Sequence, residues 1–412
     1  MSTAYLIDAC RTPRGIGKPG KGALASLHPQ QLSATVLRAL LERTGVDSAD
    51  IDDVIWGTSL QRGKQGMDLA RMALLAAGWS PKASGVTLDR FCGSGITSVN
   101  LAAASVAAGY EDLVVAGGCE MMSYTATLVD PREPQMMDAG NLRLRAEVPQ
   151  SHQGVCADAV ATLEGISREA LDDFALTSQQ RAAGAIASGA FSRSLVPVHH
   201  DDGSLALAHE EFPRPQTTRE GLAQLKPAFT ALAEVPLDEA GRTYGGMIRQ
   251  AYPGLVIQHR HHAGNSSGVV DGAGALLLAS EAAVRRHGLK PRARIVATAN
   301  MGDDPTLMLN APAPAARKVL ARAGLAIDDI DLFEVNEAFA VVAEKFIRDL
   351  RLDRDKVNVN GGAIALGHPI GATGTLLIGT VLDELERRDL RRGLVTMCAA
   401  GGMAPAIIIE RV

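Results

Sequence analysis

"GVDSADIDDVIWG", residues 45 to 57, has a counterpart 279 residues on in "GLAIDDIDLFEVN", residues 324 to 336. Each follows a helix-like run, "VLRALLERT" or "RKVLARA", and each ends in an apolar, strand-like run. The same slide lays Gly95 on Gly374, so that "CGSGITSVNLAAA" meets "GATGTLLIGTVLD", a Gly-rich turn followed in both cases by a helix-like stretch. Shifted two residues further, "LVVAGGCEMMS" (113 to 123) meets "LVTMCAAGGMA" (394 to 404), which places Cys398 on Gly117. Halves that repeat helix, strand, Gly-rich turn, helix, strand predict two similar α/β units. Chance similarity among Gly- and Ala-rich segments is the plain alternative, and an offset held over separate matches opposes it. Continuous apolar runs such as "RIVATA" and "DLVVAG" fit strands covered on both faces, as in parallel or mixed sheets between helices.

The chain has 412 residues, long for one hydrophobic core, which agrees with a doubled unit. Its apolar fraction of 46 % and charged fraction of 21 % are those of an ordinary globular protein. A net charge of −5 supplies no overall attraction to nucleic acid or an anionic membrane. The start, "MSTAYLIDACRTPRG", lacks the basic and apolar regions of a secretory signal, and no apolar run is read as a membrane span. A cytoplasmic protein is therefore expected. Five cysteines, odd in number and without a C-x-x-C pair, argue against a disulfide framework and a zinc site; no metal is expected.

Between the halves, about 123 to 262, lies a more polar stretch with the loop signals "PREPQ", "HHDDGS" and "FPRPQTTREG" around amphipathic helices. The expected organisation is a first half over 1–122, a loop domain over 123–262, a return to the first half over 263–290, and a second half over 291–412. The tract "HRHH" (259 to 262) has no accompanying ligand cluster and reads as a solvated loop rather than a metal site.

Four segments could carry chemistry. In "LDRFCGSGITSVNLAAASVAAG" (88 to 109), Cys92 falls between a strand-like run and a helix start, an elbow that exposes a nucleophile and whose helix dipole favours thiolate. A small packing residue is the equal alternative. "NVNGGAIALGHPIGATG" (358 to 374) is too rich in glycine for a regular element and holds His368, a candidate base, in a loop pressed toward a ligand. It matches neither phosphate-binding glycine pattern, and a purely structural loop is its alternative. Cys398 ends a buried strand in "VTMCAAGGMAPA". "FEVNEAFA" puts Asn336 and Glu337 at the end of an apolar run, where the structural alternative for Asn336 is a helix N-cap.

Taken together, "NVNGGAIALGHPIGATG", "EVNEAFA", "AGNSSGVVDGAGALLL", "CRTPRG" and "MCAAGGMAPAIIIER" closely resemble the thiolase family, over nearly the whole chain. The resemblance implies the thiolase fold, a five-layer αβαβα arrangement of two related halves with an inserted loop domain. It implies an acetyl-CoA C-acyltransferase that cleaves a 3-ketoacyl-CoA with CoA to acetyl-CoA and a shortened acyl-CoA, as in the β-oxidation of fatty acids and other lipids. CoA would be a substrate, with no permanently bound cofactor, and the chain would form a homodimer or homotetramer. The alternatives are biosynthetic acetoacetyl-CoA condensation, a relative performing decarboxylative condensation or thioester hydrolysis, and a non-catalytic protein binding CoA or acyl lipid.

By the same resemblance Cys92 is the nucleophile that carries the acyl group, His368 its activating base, and Cys398 the acid or base at the acetyl-CoA carbon. Asn336 would hold a water beside His368 in one oxyanion hole, and the N–H groups of Cys92 and near Ala400 would form the other. The family pattern C-x-G-G-G reads here Cys398, Ala399, Ala400, Gly401, Gly402, so the second hole requires that Ala400 avoid positive φ. His152, Arg214, Ser267 and Phe339 are the expected contacts to substrate and CoA. The family usually returns to "AGN" about ten residues after Phe229. Here 230 to 262 intervene, and an insertion at this place is expected to reshape the acyl pocket or an interface.

Overall fold

A computed structural model describes residues 3–130 and 136–412; the loop signal "PREPQ" lies outside the described residues. The repeat is a structural one. Helix α1 (Pro29–Thr44) begins at a proline, ends at Gly45 in the left-handed conformation (φ 70°), and leads through a short turn into β2 (Asp53–Gly57). Helix α7 (Pro312–Ala323) begins at a proline, ends at Gly324 with φ 65°, and leads the same way into β7 (Leu332–Val335). Glycine is needed at both caps because that backbone region disfavours any side chain. Helix α3 (Ser94–Ala108) and helix α9 (Thr373–Arg387) obey the same offset.

Strand β4 (Leu113–Met121) pairs in parallel with β2, Asp53 facing Val114, and β8 (Arg392–Thr396) pairs in parallel with β7, Leu332 facing Gly393. These registers share the single offset of 279. The further two-residue shift read from the sequence is therefore incorrect, and Cys398 answers to Cys119 rather than to Gly117. Similar apolar runs can be slid by two without changing face; only the hydrogen-bond register decides between them.

The remaining strands are β1 (Tyr5–Arg11), β3 (Val86–Leu88), β5 (Val270–Ala279), β6 (Ala293–Gly302) and β9 (Met403–Arg411). Among the described residues the order is β3-β2-β4-β5-β1-β6-β9-β8-β7, with a short strand at Gly15–Ile16 on β5. The halves meet where β1 and β6 pair antiparallel, Tyr5 against Arg294 and Leu6 against Ala293. Side-chain alternation then builds the layers. Val114 and Ala116 of β4 and Ile407 and Ile409 of β9 pack with Ile96 and Val99 of α3 and Ile378 and Val381 of α9. Val115 faces α1 through Leu32, Val36 and Leu37, while Ile408 faces Ala315 and Val319 of α7. The two central helices thus lie between the two halves of the sheet, with further helices outside, which is the expected five-layer αβαβα arrangement. Phe91–Ala108 is, against expectation, long and apolar enough to cross a membrane. Its central place accounts for that, because most of the window, 61 %, is buried and so apolar.

The segment between the halves contributes helices α4 (Gln153–Leu163), α5 (Arg168–Ala187) and α6 (Tyr244–Ala251). The tract 259–262 is not a solvated loop. His261 and His262 are fully buried, His259 and His261 bond the Asp158 carboxylate at 2.7 and 2.8 Å, and His262 bonds Asp172 at 2.8 Å. Two buried carboxylates with imidazole and amide partners tie the return segment to α4 and α5. Among the described residues no cluster suited to a metal ion occurs.

Candidate active site

Cys92 stands at a strained elbow. Phe91 takes φ 49°, a left-handed conformation unusual for a bulky residue, and α3 starts two residues after the cysteine. The turn is held from both sides: Asp89 accepts the Phe91 N–H at 2.6 Å, and Ser94 Oγ accepts the Arg90 N–H at 2.8 Å and donates to the Phe91 carbonyl at 2.7 Å. Any side chain at Gly93 would strike the ring of Pro405. Such strain needs a reason, and presenting a thiol supplies one. The sequence predicts a lowered thiol pKa here; instead burial, aided by the nearby Glu120 charge, pushes Cys92 up to about 12. The resting group is a thiol that needs a base.

That base is available. His368 is buried in the Gly-rich loop, its N–H donating to the Gly268 carbonyl at 2.8 Å. Its Nδ1 lies 2.6 Å from Thr373 Oγ1, and that hydroxyl donates to the Pro369 carbonyl at 3.0 Å. Both bonds are satisfied when Nδ1 carries the proton and donates to Thr373. The lone pair is then on Nε2, which is buried and has no partner among the described residues. Burial first, and the Arg14 charge second, bring His368 down to about 3, so it is neutral at physiological pH.

The loop holding His368 is braced by two buried carboxylates. Glu120 accepts from the N–H groups of Ser59 (2.8 Å) and Gly371 (2.9 Å) and from Gln65 (2.6 Å). Glu337 accepts from Ser178 (2.6 Å), Asn358 (2.9 Å) and the Ile364 N–H (3.2 Å). The sequence reading gave neither a role. A charged residue at the end of an otherwise apolar strand, as in "LVVAGGCEMMS", was the available signal.

Asn336 follows β7, its N–H donating to the Thr396 carbonyl of β8 at 3.2 Å, which sets it beside the strand end that carries Cys398. It is not a helix N-cap: α8 (Ala340–Leu350) is capped at Phe339. Both polar atoms of the Asn336 amide are buried and without a partner among the described residues, which leaves them free for a water or an oxyanion. Cys398 is buried, and burial together with neighbouring Cys92 raises its pKa well above the ordinary thiol value. Positive φ falls on Gly401 (76°) and Gly402 (75°), not on Ala400, so the condition for the second oxyanion hole is met.

One cavity of about 210 Å³ opens at the elbow, lined by Phe91 and Cys92, Ile370 of the Gly-rich loop, Ala400 after Cys398, and His152 from the loop segment; of the expected catalytic residues Cys92 alone is in its wall, and His368, Asn336 and Cys398 lie behind it. Burial lowers the His152 pKa, leaving it neutral, and its ring packs against Phe229 at 5.8 Å. Phe229 in turn meets Phe339 edge-on at 5.9 Å. Arg214 does not reach this cavity. It is exposed, lies over Phe212, and lines a separate groove of about 210 Å³ with Gln179 and Gly264. Ser267 is half-buried, tied by its N–H to the Ala338 carbonyl at 3.0 Å, and lines neither. Thr373 and Tyr244 are site residues that sequence reasoning missed.

Residues 4–235 match the family model for the thiolase N-terminal domain and residues 289–411 that for the thiolase C-terminal domain. The chain is 40 % identical over 422 residues to an acetyl-CoA acetyltransferase of Escherichia coli (strain K12), with 100 % of each chain covered. It is 40 % identical over 423 residues to the steroid 3-ketoacyl-CoA thiolase FadA6 of Mycobacterium tuberculosis, covering 100 % of this chain and 95 % of that one. Among solved structures, human mitochondrial 3-ketoacyl-CoA thiolase superposes with a TM-score of 0.83 at 33 % identity, covering 100 % of this chain and 99 % of that one.

Proposed function

The chain belongs to the thiolase family and is an acetyl-CoA C-acyltransferase that cleaves a 3-ketoacyl-CoA with CoA; from that premise we propose the following residue roles. Cys92 gives its thiol proton to His368 Nε2 as Sγ attacks the keto carbon. The C2–C3 bond breaks, leaving the shortened acyl group as a thioester on Cys92. The acetyl-CoA enolate takes the Cys398 thiol proton and leaves. CoA then attacks the thioester, its proton passing to the Cys398 thiolate, and Cys92 regains its proton from His368. Asn336, through a water, and the N–H groups near Cys92 and Ala400 stabilise the oxyanions.

One observation carries this reading: the Thr373 contact leaves a buried, neutral His368 with a free Nε2 lone pair, in the Gly-rich loop whose Ile370 lines the same cavity as the Cys92 thiol. The raised pKa of Cys398 keeps its resting group protonated, as protonation of the enolate requires. Acetoacetyl-CoA synthesis, which runs these steps backwards from acylation of Cys92 by acetyl-CoA, is not favoured by the likeness to 3-ketoacyl-CoA thiolases. A non-catalytic role is opposed by the presence of every catalytic group.

His152 and Phe339 would border the reacting end, with Ser267 beside the pantetheine arm and Arg214 toward the nucleotide. We further propose a homo-oligomer, dimer or tetramer. Strand β3 is a sheet edge with Val86 exposed, and helix α2 (Leu69–Ala76), packed beside it, exposes Met72 and Leu75. A place in cytoplasmic lipid degradation is supported by five cysteines without a disulfide. The test supplies CoA with 3-ketoacyl-CoAs of several lengths, follows acetyl-CoA release, and reads Cys92 acylation by mass spectrometry. No acylation on any of them, with Cys92→Ala indistinguishable from the unmodified protein, would sink the mechanism.

A further inference from the structure

The inserted segment 230–262 places one side chain in the wall of the Cys92 cavity. Tyr244 is the first residue of α6, whose start is capped by Thr243 accepting the Gly246 N–H at 2.9 Å. The helix is fastened at both ends. Ser151 Oγ donates to the Tyr244 carbonyl at 2.9 Å, Gln250 donates to the Ala146 carbonyl at 2.9 Å, and the Tyr252 hydroxyl donates to Asp304. Just before it, Asp238 accepts from Arg145 at 3.1 Å and from Arg242 at 2.8 Å. The Tyr244 ring sits edge-on to His152 with centroids 5.6 Å apart, and the residue is only 4 % exposed. So held, the phenol cannot swing out to water, yet its hydroxyl has no hydrogen-bond partner among the described residues.

The hydroxyl itself keeps access to the cavity and is free to bond what enters; a guest that covered it without offering a partner would leave it desolvated at a cost. The other walls narrow what that is. Phe91, Met136, Met137, Met308 and Ile370 are apolar, Gln150 is polar and uncharged, and none of the described lining residues carries a charge. Arg145, whose charge acts on the Tyr244 phenol, is engaged by Asp138 and Asp238. A carboxylate brought here would be desolvated without a counter-ion, and a plain alkyl chain would leave the phenol unpaired.

We propose that Tyr244 determines specificity by hydrogen-bonding an uncharged oxygen, keto or hydroxyl, on the distal part of the acyl group, so that the preferred substrate is a 3-ketoacyl-CoA bearing such an oxygen. This rests on the thiolytic reading above. The test compares three 3-ketoacyl-CoAs of equal chain length, one unsubstituted, one with a terminal keto or hydroxyl group and one with a terminal carboxylate, by kcat/KM for acetyl-CoA release. The unmodified protein is expected to prefer the keto or hydroxyl substrate about tenfold over both others. Tyr244→Phe, which keeps the ring and its packing on His152, is expected to bring that ratio to within about twofold. Equal use of the three by the unmodified protein, preference for the alkyl or carboxylate compound, or a ratio that survives Tyr244→Phe overturns the inference alone. Failure to turn over any of them, with acetoacetyl-CoA inert as well, removes the thiolytic reading and the inference with it.

Discussion

Gly95 and Gly374, equivalent positions of the two halves, meet backbone to backbone where the central helices cross. A Cβ on Gly374 would stand 2.1 Å from the Ile96 nitrogen, and one on Gly95 would stand 2.9 Å from the Gly374 nitrogen. Cys92 precedes the first glycine by three residues and His368 the second by six, so this crossing sets where nucleophile and base sit.

Gly374→Ala is therefore expected to push the helices apart, costing about 1–3 kcal/mol or more and most of the activity. Gly184→Ala, in an exposed helix interior where a Cβ meets nothing within 4 Å, should instead stabilise by about 0.5–1 kcal/mol. Thermal melts of both variants, with assays alongside, make the comparison. Equal Tm values for the two would refute the crossing as a steric limit.

Thr373→Val removes the acceptor that keeps the proton on His368 Nδ1. Acylation of Cys92 is expected to slow by about tenfold to a hundredfold, a part of what a positioned base contributes. Thr373→Ser should restore it. The burst of acyl-enzyme in a rapid-quench experiment is the readout, and a Val variant as fast as the unmodified protein contradicts the tautomer assignment.

The acid side of the stability profile should carry the His368 signature. Its folded pKa, about 3, lies below the ordinary histidine value, so the unfolded chain binds more protons between about pH 6.5 and 3. The stabilisation is complete above about pH 6.5 and is lost progressively as pH falls through that window. By about pH 4.5 the loss from this group is about 2–3 kcal/mol. His152 and His261, also lowered by burial, act in the same direction. His368→Asn should show a smaller drop in denaturant midpoint between about pH 7.5 and 4.5; an unchanged drop counts against a neutral buried imidazole.

Cys398→Ser is expected to leave Cys92 acylation by an acyl-CoA measurable while suppressing exchange of the acetyl-CoA methyl protons with solvent deuterium by about 10²–10⁴-fold. Mass spectrometry follows both. If exchange persists near the unmodified rate, the proton at that carbon is handled elsewhere.

The repeat, the elbow and the Gly-rich loop were legible because each is written in adjacent residues. The pairing of Cys398 with Cys119 was not, since "LVVAGG" and "LVTMCA" match by content while the ladder hydrogen bonds set the register. The histidine tract was misread for a related reason: its partners Asp158 and Asp172 lie about a hundred residues earlier and appear only when α4 and α5 fold over it. Tyr244 sits in the insertion with no nearby motif to mark it. The high thiol pKa of Cys92 depends on what surrounds the helix start, a tertiary property.

The shared register has one more consequence. Two identical copies of this unit, paired as the halves are, would carry two equivalent reaction centres. In the joined chain the positions answering to Cys92, Asn336, His368 and Cys398 are Gly371, Gly57, Asp89 and Cys119. Gly371 has no room for a side chain, since a Cβ there would stand 2.5 Å from Thr58 Cα, and Cys119 is sealed against Pro29. The molecule is thus a duplicated scaffold with its labour divided. One half carries the nucleophile, the other the base and the proton carrier, and the positions equivalent to them are given over to packing.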